Sequence, residues 1–397
     1  MIQPTVVAEW SAVTALLAPF TGFVPVAEFA SRVVGPSRSM LSAEQQQSSR
    51  DDELSFRSSV GRGAGADHTN AMEWMRRCHD AGALAAVESV VLVHRLERVD
   101  YRATGLIAEV SVAAYDTGLI KRHETTIAKT ERKMVDYMQS TRLYGNPVAL
   151  AHHEHPEVAV ALSAHTQRPP DVEFDAIDGT HHSMWIVEGA DAEALCSSFS
   201  DVLYITDGHH RLAAASTLAA VEGRSDPHLP VGLFAENELE LWAYARGVRD
   251  ASIDTGEVLK VLPRHFSLED SELAVPRPTR PHELGVRIDG RSYILTVPDD
   301  RIPVDTYDKL DVNLLQDLIL EPVLGVTNPR TDARLSFIAD TSDAAHDPDE
   351  FDVWFLPYPT AVRDVMAVAD MGRAMPPKST FFLPKLPSGL IVRTIDQ

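Results

Sequence analysis

Apolar positions recur every second residue along some stretches and every third or fourth along others, and the changeovers divide the chain. Residues 71–86 carry Met72, Trp74, Met75 and Cys78 at helical spacing, and 87–99 then reads as a β-rich run that 104–114 continues. Strands are expected over 229–234 and 240–248, with a short helix over 257–266. Residues 285–297 hold Asp289-Gly290 between alternating apolar flanks, the mark of a hairpin whose turn needs positive φ. Residues 311–324 return to helical periodicity, with Leu314, Leu315, Leu318 and Ile319 on one face, and 359–372 reads as a further helix. Two stretches lack either period. Residues 37–67 are rich in Ser, Gln, Arg and Gly, so this part is expected to include an exposed or mobile loop, and 340–352 are acidic and polar and read as a surface loop.

Strands and helices mixed with hairpins predict an α+β architecture rather than a doubly wound sheet. At 397 residues the chain is long enough for two or three packed lobes. The expected division is an N-terminal segment over 1–86 with a mobile loop near 37–67, a core over 87–270, and a C-terminal α+β lobe over 271–397.

Charge narrows the partners. The 58 acidic residues against 36 basic ones give a formal net charge of −22, which repels nucleic-acid phosphate and anionic lipid at long range. No nucleic-acid or membrane partner is expected. A nucleotide can still bind where a few cations and backbone N–H groups converge. The two cysteines, Cys78 and Cys196, are too few for a disulfide framework or a cysteine-built zinc site, which fits a reducing, cytoplasmic setting. Glu9 interrupts the apolar start and no basic region precedes it, so no signal peptide is expected, and no run reaches the ~18 apolar residues that span a bilayer.

The strongest chemical signal is Val202-Leu203-Tyr204-Ile205-Thr206-Asp207-Gly208-His209-His210-Arg211, with an alanine-rich run after it. It predicts a strand, a tight turn and a helix N-terminus, where free N–H groups and the helix dipole favour an anion. Arg211 adds a charge suited to phosphate, His209 and His210 add donors, and Gly208 lets the backbone approach a ligand. Asp207 is expected either to cap the helix or to hold phosphate-bound Mg²⁺. A second signal, Arg122-His123-Glu124, offers a carboxylate able to take a proton from a hydroxyl. A third, Met375 to Lys385, puts Lys378, Ser379, Thr380 and Lys385 in a proline-stiffened basic island. The pairs and clusters at His152, His153, His155 and at His181-His182 read as solvated.

These segments, in this order, resemble the family known as domain of unknown function 1015, nearly end to end. Pro19-Phe20-Thr21-Gly22 and Pro25 look like its opening, and Asp311-Val312-Asn313 through Gly325 like a later block. The His-Glu pair followed by Asp-Gly-His-His-Arg is also similar to archaeal ADP-dependent kinases of free serine, of the ParB/sulfiredoxin-like superfamily, although Arg122 stands where they carry proline. That resemblance implies a ParB/sulfiredoxin-like core, Glu124 as general base, and Asp207, Gly208, His209, His210, Arg211 and Arg142 around the phosphates of ADP or ATP with Mg²⁺. It further implies His123, Lys378, Ser379 and Thr380 around a small hydroxylated metabolite such as serine. The expected activity is therefore small-molecule phosphoryl transfer, with homodimerisation left open. A nucleotide-binding switch and a histidine-based metal hydrolase are the alternatives.

Overall fold

In the computed structural model, which describes residues 15–59, 69–99, 101–225, 227–340 and 347–395, the chain divides into two compact units. The first runs to Leu239 and takes up the chain again at Pro384, and the second is Glu240–Leu383. The sequence reading put boundaries at 86 and 270 instead. The first 86 residues are not set apart, because a strand within them joins the main sheet of the first unit.

The strands of the first unit are β1 (Leu17–Ala18), β2 (Phe20–Pro25), β3 (Leu84–Glu97), β4 (Arg102–Ser111), β5 (Ile120–Lys121), β6 (Leu143–Tyr144), β7 (Val148–His152), β8 (Val172–Asp175), β9 (His181–Glu188), β10 (Leu203–Asp207) and β11 (His228–Ala235). Its helices are α1 (Ala27–Val33), α2 (Ala43–Asp51), α3 (Thr69–Asp80), α4 (Val112–Asp116), α5 (Ala128–Thr141), α6 (Pro156–His165), α7 (Gly189–Ser197) and α8 (His209–Glu222). Ten strands make one mixed sheet in the order β5-β10-β7-β11-β4-β3-β9-β8, with β1 on β4 and β2 on β3. Among the described residues only β5 with β10 and β7 with β11 pair in parallel. The centre of the sheet is apolar on both faces: Val91, Val93, Leu106, Val148, Leu150, Ile205, Val231 and Leu233 are buried in one core, and Val90, Leu92, Ile107 and Phe234, which alternate with them, are buried on the other face.

Much of 37–67 proves to be structured rather than loop. Ser42 and Gln45 form a reciprocal capping box that starts α2, and a 3₁₀ turn at Phe56–Ser59 follows. Phe56 is buried edge-on against Trp74 at 5.1 Å, and the Trp74 indole donates to the Leu54 carbonyl at 2.8 Å. Residues 60–67 lie outside the described residues, as do Glu9 and 341–346 of the acidic run. The helix read over 71–86 is α3, with Ala71, Trp74 and Cys78 inward and Met72 outward.

The second unit is built on a six-stranded antiparallel sheet in the order Ser267–Ser271, Arg291–Thr296, Glu283–Ile288, Val353–Pro357, Tyr244–Val248, Leu335–Ala339. The expected hairpin is there, with Asp289 and Gly290 at φ 50° and 68°. The helix read over 311–324 is α-helical only at Asp311–Leu315 and widens to a π turn over Gln316–Leu320, while the one read over 359–372 is Val362–Asp370. The architecture is α+β around a large mixed sheet.

If 37–59 were loop, truncating Phe56 would be neutral. We expect Phe56→Ala to cost about 3–5 kcal/mol in urea unfolding, and a loss below ~1 kcal/mol would contradict the packing described.

Candidate functional site

The run after Val202 folds as its pattern requires. β10 ends at Asp207, Gly208 takes φ 96° and ψ 25°, and α8 begins at His209. That left-handed turn is open to glycine, and a Cβ there would also meet the Arg211 guanidinium at 2.8–2.9 Å. Gly208, not Asp207, is the N-cap, and no side chain caps the helix. The expectation of an Asp207 cap is therefore overturned. Its carboxylate is drawn away to two cations instead: Arg211 on one oxygen and Lys385 Nζ at 3.6 Å from the other. Arg211 is fixed in turn by the Asn146 and Pro147 carbonyls, at 3.1 and 2.5 Å. Partial burial works to raise the Asp207 carboxyl, but Lys385, Arg211 and His209 outweigh it and hold it below the usual range.

Glu124 lies beside this turn. Its Oε2 is 3.7 Å from His209 Nδ1, although the two residues come from separate elements of the sheet, beyond β5 and at the start of α8. The parallel pairing of β5 with β10 brings both strand ends to the same edge. His123 packs edge-on against His209 with ring centroids 4.6 Å apart, and its ring bonds the Ile205 carbonyl. His210 Nε2 accepts the Ile127 N–H at 2.9 Å, so that ring carries its proton on Nδ1 if neutral, and it ties the start of α5 to α8. His209 Nε2 is buried and has no hydrogen-bond partner among the described residues. A buried polar atom left in this state calls for a ligand.

Together these form a candidate anion cradle: the His209 and His210 amides at the start of α8, which have no carbonyl behind them within the helix, the Arg211 and Lys385 cations, and the orphaned His209 nitrogen. The donor set fits nucleotide phosphates. It does not fit Mg²⁺ held directly by Asp207, since both carboxylate oxygens already face cations. Among the described residues no group of three or more His, Cys, Asp or Glu could hold a metal ion.

One other expected residue of the first unit lies elsewhere. Arg142 caps the far end of α5 and pairs with Glu222 at 2.5 Å, at the opposite end of α8 from Gly208, ~20 Å away along the helix. Its expected place at the phosphates is therefore corrected. Lys378, Ser379 and Thr380 belong to the second unit. There Lys378 lies over the Tyr244 ring at 5.5 Å and the buried Ser379 hydroxyl donates to the Pro376 carbonyl at 2.8 Å. Of the two lysines in that basic island, Lys385 is the one in the first unit that meets Asp207. Nothing in the spacing separated it from Lys378.

The histidine clusters are also not solvated as a whole. His182 is buried, stacked on Phe174 at 4.8 Å and bonded to His94 at 3.0 Å, because strand alternation turns it inward while its neighbour His181 faces Asp175 and Glu173. His152 is buried at the end of β7.

The fold and site define an α+β protein with a strand–turn–helix that gathers two cations beside an adjacent carboxylate. The chain belongs to the family described as Protein of unknown function (DUF1015), which matches residues 17–313. Among solved structures, a free serine kinase in complex with AMP aligns at 13% identity over 70% of this chain and 87% of its own, with TM-score 0.33. A conserved hypothetical protein from Pyrococcus furiosus aligns at 13% over 71% and 93%, with TM-score 0.33. SbnI with C-terminal truncation from Staphylococcus aureus aligns at 12% over 70% and 82%, with TM-score 0.37. No curated protein matches significantly.

Gly208→Ala should destabilise the first unit by about 1–3 kcal/mol, through the forced positive φ and the collision with Arg211. Urea unfolding reads this, and an unchanged midpoint would contradict the turn geometry.

A pH dependence follows from the buried imidazoles. Burial keeps His94 and His123 from protonating until well below the ordinary value, His152 and His209 until about 4, and His182 until about 3. Unfolded imidazoles take a proton below about 6.5, and although Glu109 and Asp311, pushed up by burial to about 7, act the other way, the five histidines outweigh them, so the unfolded chain binds more protons than the folded one between about 6.5 and 4. Stability is whole above that window and is lost as the pH falls through it, by on the order of 1 kcal/mol per histidine per pH unit. A Tm that stays flat from about pH 7 to pH 5 would refute this.

Proposed function

We propose that the first unit holds nucleotide phosphates on the Gly208 turn and transfers a terminal phosphoryl group from ADP or ATP to the hydroxyl of serine or a similar small hydroxylated metabolite. The observation that carries this reading is the closeness of the Glu124 carboxylate to the cradle, 3.7 Å from His209. A base and an anion site sharing one sheet edge are what in-line transfer to a hydroxyl requires. The order of the His-Glu and Asp-Gly-His-His-Arg motifs, similar to that of the free serine kinases, supports the same choice of acceptor.

In this reading the acceptor oxygen forms a bond to phosphorus as the bond to the nucleotide's leaving oxygen breaks, and Glu124 takes the hydroxyl proton. Arg211, Lys385 and the α8 amides spread the charge that builds on the transferring and leaving oxygens. His123 and His209 stay neutral, His209 protonating only at about 4, and pack rigidly behind Glu124. Because Arg211 and Lys385 already lean on Asp207, that carboxylate acts as their positioning partner.

Incubation with ADP, ATP or CTP against a panel of hydroxylated amino acids, followed by ³¹P NMR, tests donor and acceptor together. Glu124→Gln should keep nucleotide affinity within a few-fold and lower turnover by about 10²–10⁴. Full turnover in that variant removes Glu124 as the base. Tight nucleotide binding with no phosphorylated product in the panel favours a nucleotide-binding switch instead.

A further inference from the structure

A cavity of roughly 320 Å³ opens at the other edge of the main sheet from the Gly208 turn. β7 and β10 are antiparallel, with Ala151 level with Tyr204, so His152 lies by the start of β10 while Asp207 ends it, ~13 Å away along the strand. The volume falls in the range of small-molecule sites, which begins near ~300 Å³.

Its floor is apolar and comes from α6: Val158, Ala159 and Leu162. Its rim is charged with both signs. Arg95 and Arg102 come from the β3–β4 pair, where Arg102 pairs with Glu97 at 3.1 Å and Glu238 accepts the Thr104 N–H at 2.8 Å, and Glu154 comes from the connection between β7 and α6. With β11 and then β4 between β7 and β3, the two sides of the rim start ~10–14 Å apart, and long side chains narrow that gap.

The Arg95 guanidinium lies over Trp185 at 5.2 Å, and its Nε reaches the Thr104 hydroxyl at 3.4 Å. Among the described residues its terminal nitrogens make no hydrogen bond or ion pair, while desolvation and then Arg102 act against its charge, partly offset by Glu97 and Glu238. A half-buried cation left in this way is completed by an anion. Glu154, opposite, also makes no hydrogen bond or ion pair among the described residues. His152, buried beside it, donates from Nδ1 to the His153 carbonyl at 2.7 Å, which leaves Nε2 as an acceptor.

We propose that this cavity is a second ligand site, for an α-amino acid with an apolar side chain, its carboxylate on Arg95 and Arg102, its ammonium on Glu154 and His152, and its side chain on the α6 floor. A carboxylate alone makes no contact with Glu154 and the His152 acceptor, and an amine alone leaves the half-buried Arg95 without an anion in the site. The assignment is independent of the reading of the Gly208 cradle.

Calorimetric titration of the full chain with leucine, methionine and phenylalanine tests it, with isocaproate and isoamylamine as the leucine analogues that lack the ammonium and the carboxylate. At least one of the amino acids should saturate the protein, and for leucine each analogue should bind ~10-fold more weakly or worse. Glu154→Gln and Arg95→Gln should each weaken binding by a similar ~10-fold. Ala159→Phe, which fills the floor from an exposed position, should abolish it with the circular dichroism spectrum unchanged. Absence of saturation by all three amino acids up to ~10 mM overturns the proposal. So does equal binding of either analogue, or undiminished binding by the Glu154→Gln or Ala159→Phe protein.

Discussion

Everything at the Gly208 edge depends on how one carboxylate is held. Asp207 ends β10, and its two oxygens are drawn to Arg211 from the helix that follows and to Lys385 from the stretch that rejoins the first unit. The pull fixes Arg211 against the turn, and the Asn146 and Pro147 carbonyls close it from the far side. The aspartate thus organises cations that an anion can then share. Charge that would repel itself if left alone is kept in place before any ligand arrives, which is the preorganisation that stabilising a moving negative charge demands.

The sheet makes that arrangement available. Parallel pairing of β5 with β10 carries Glu124 to the same edge as Asp207, and the edge-on contact of His123 with His209 fills the space behind. Buried neutral imidazoles pack here without the cost of a buried ion, His123 bonding the Ile205 carbonyl while His209 keeps one ring nitrogen unpartnered among the described residues.

The strand, turn and helix around Gly208 were legible because three local signals coincide there: a β-prone run, a residue that accepts positive φ, and an alanine-rich run. The Asp289-Gly290 hairpin was legible for the same reason. Where pattern failed, tertiary contacts had decided. Ser42 and Gln45 close a helix inside a stretch whose composition reads as loop, and Phe56 is claimed by Trp74 from a separate helix. The Arg142 side chain was assigned by motif, but the length of α8 carries its partner Glu222 to the far end. Lys385 could not be told from Lys378, since the choice rests on where the chain crosses back into the first unit.

That crossing has a consequence for how the molecule is made. The stretch from Pro384 joins the first unit through the Gly35–Ser388 and Phe23–Val392 bridges, the pairing of Arg393–Thr394 with β6, and the Arg393 contact with Glu109. A ribosome must therefore emit the whole of Glu240–Leu383 before the closing stretch of the first unit is made. Until then Glu109 lacks its Arg393 partner and Asp207 holds one cation instead of two, so the unit begun first is the later one to mature.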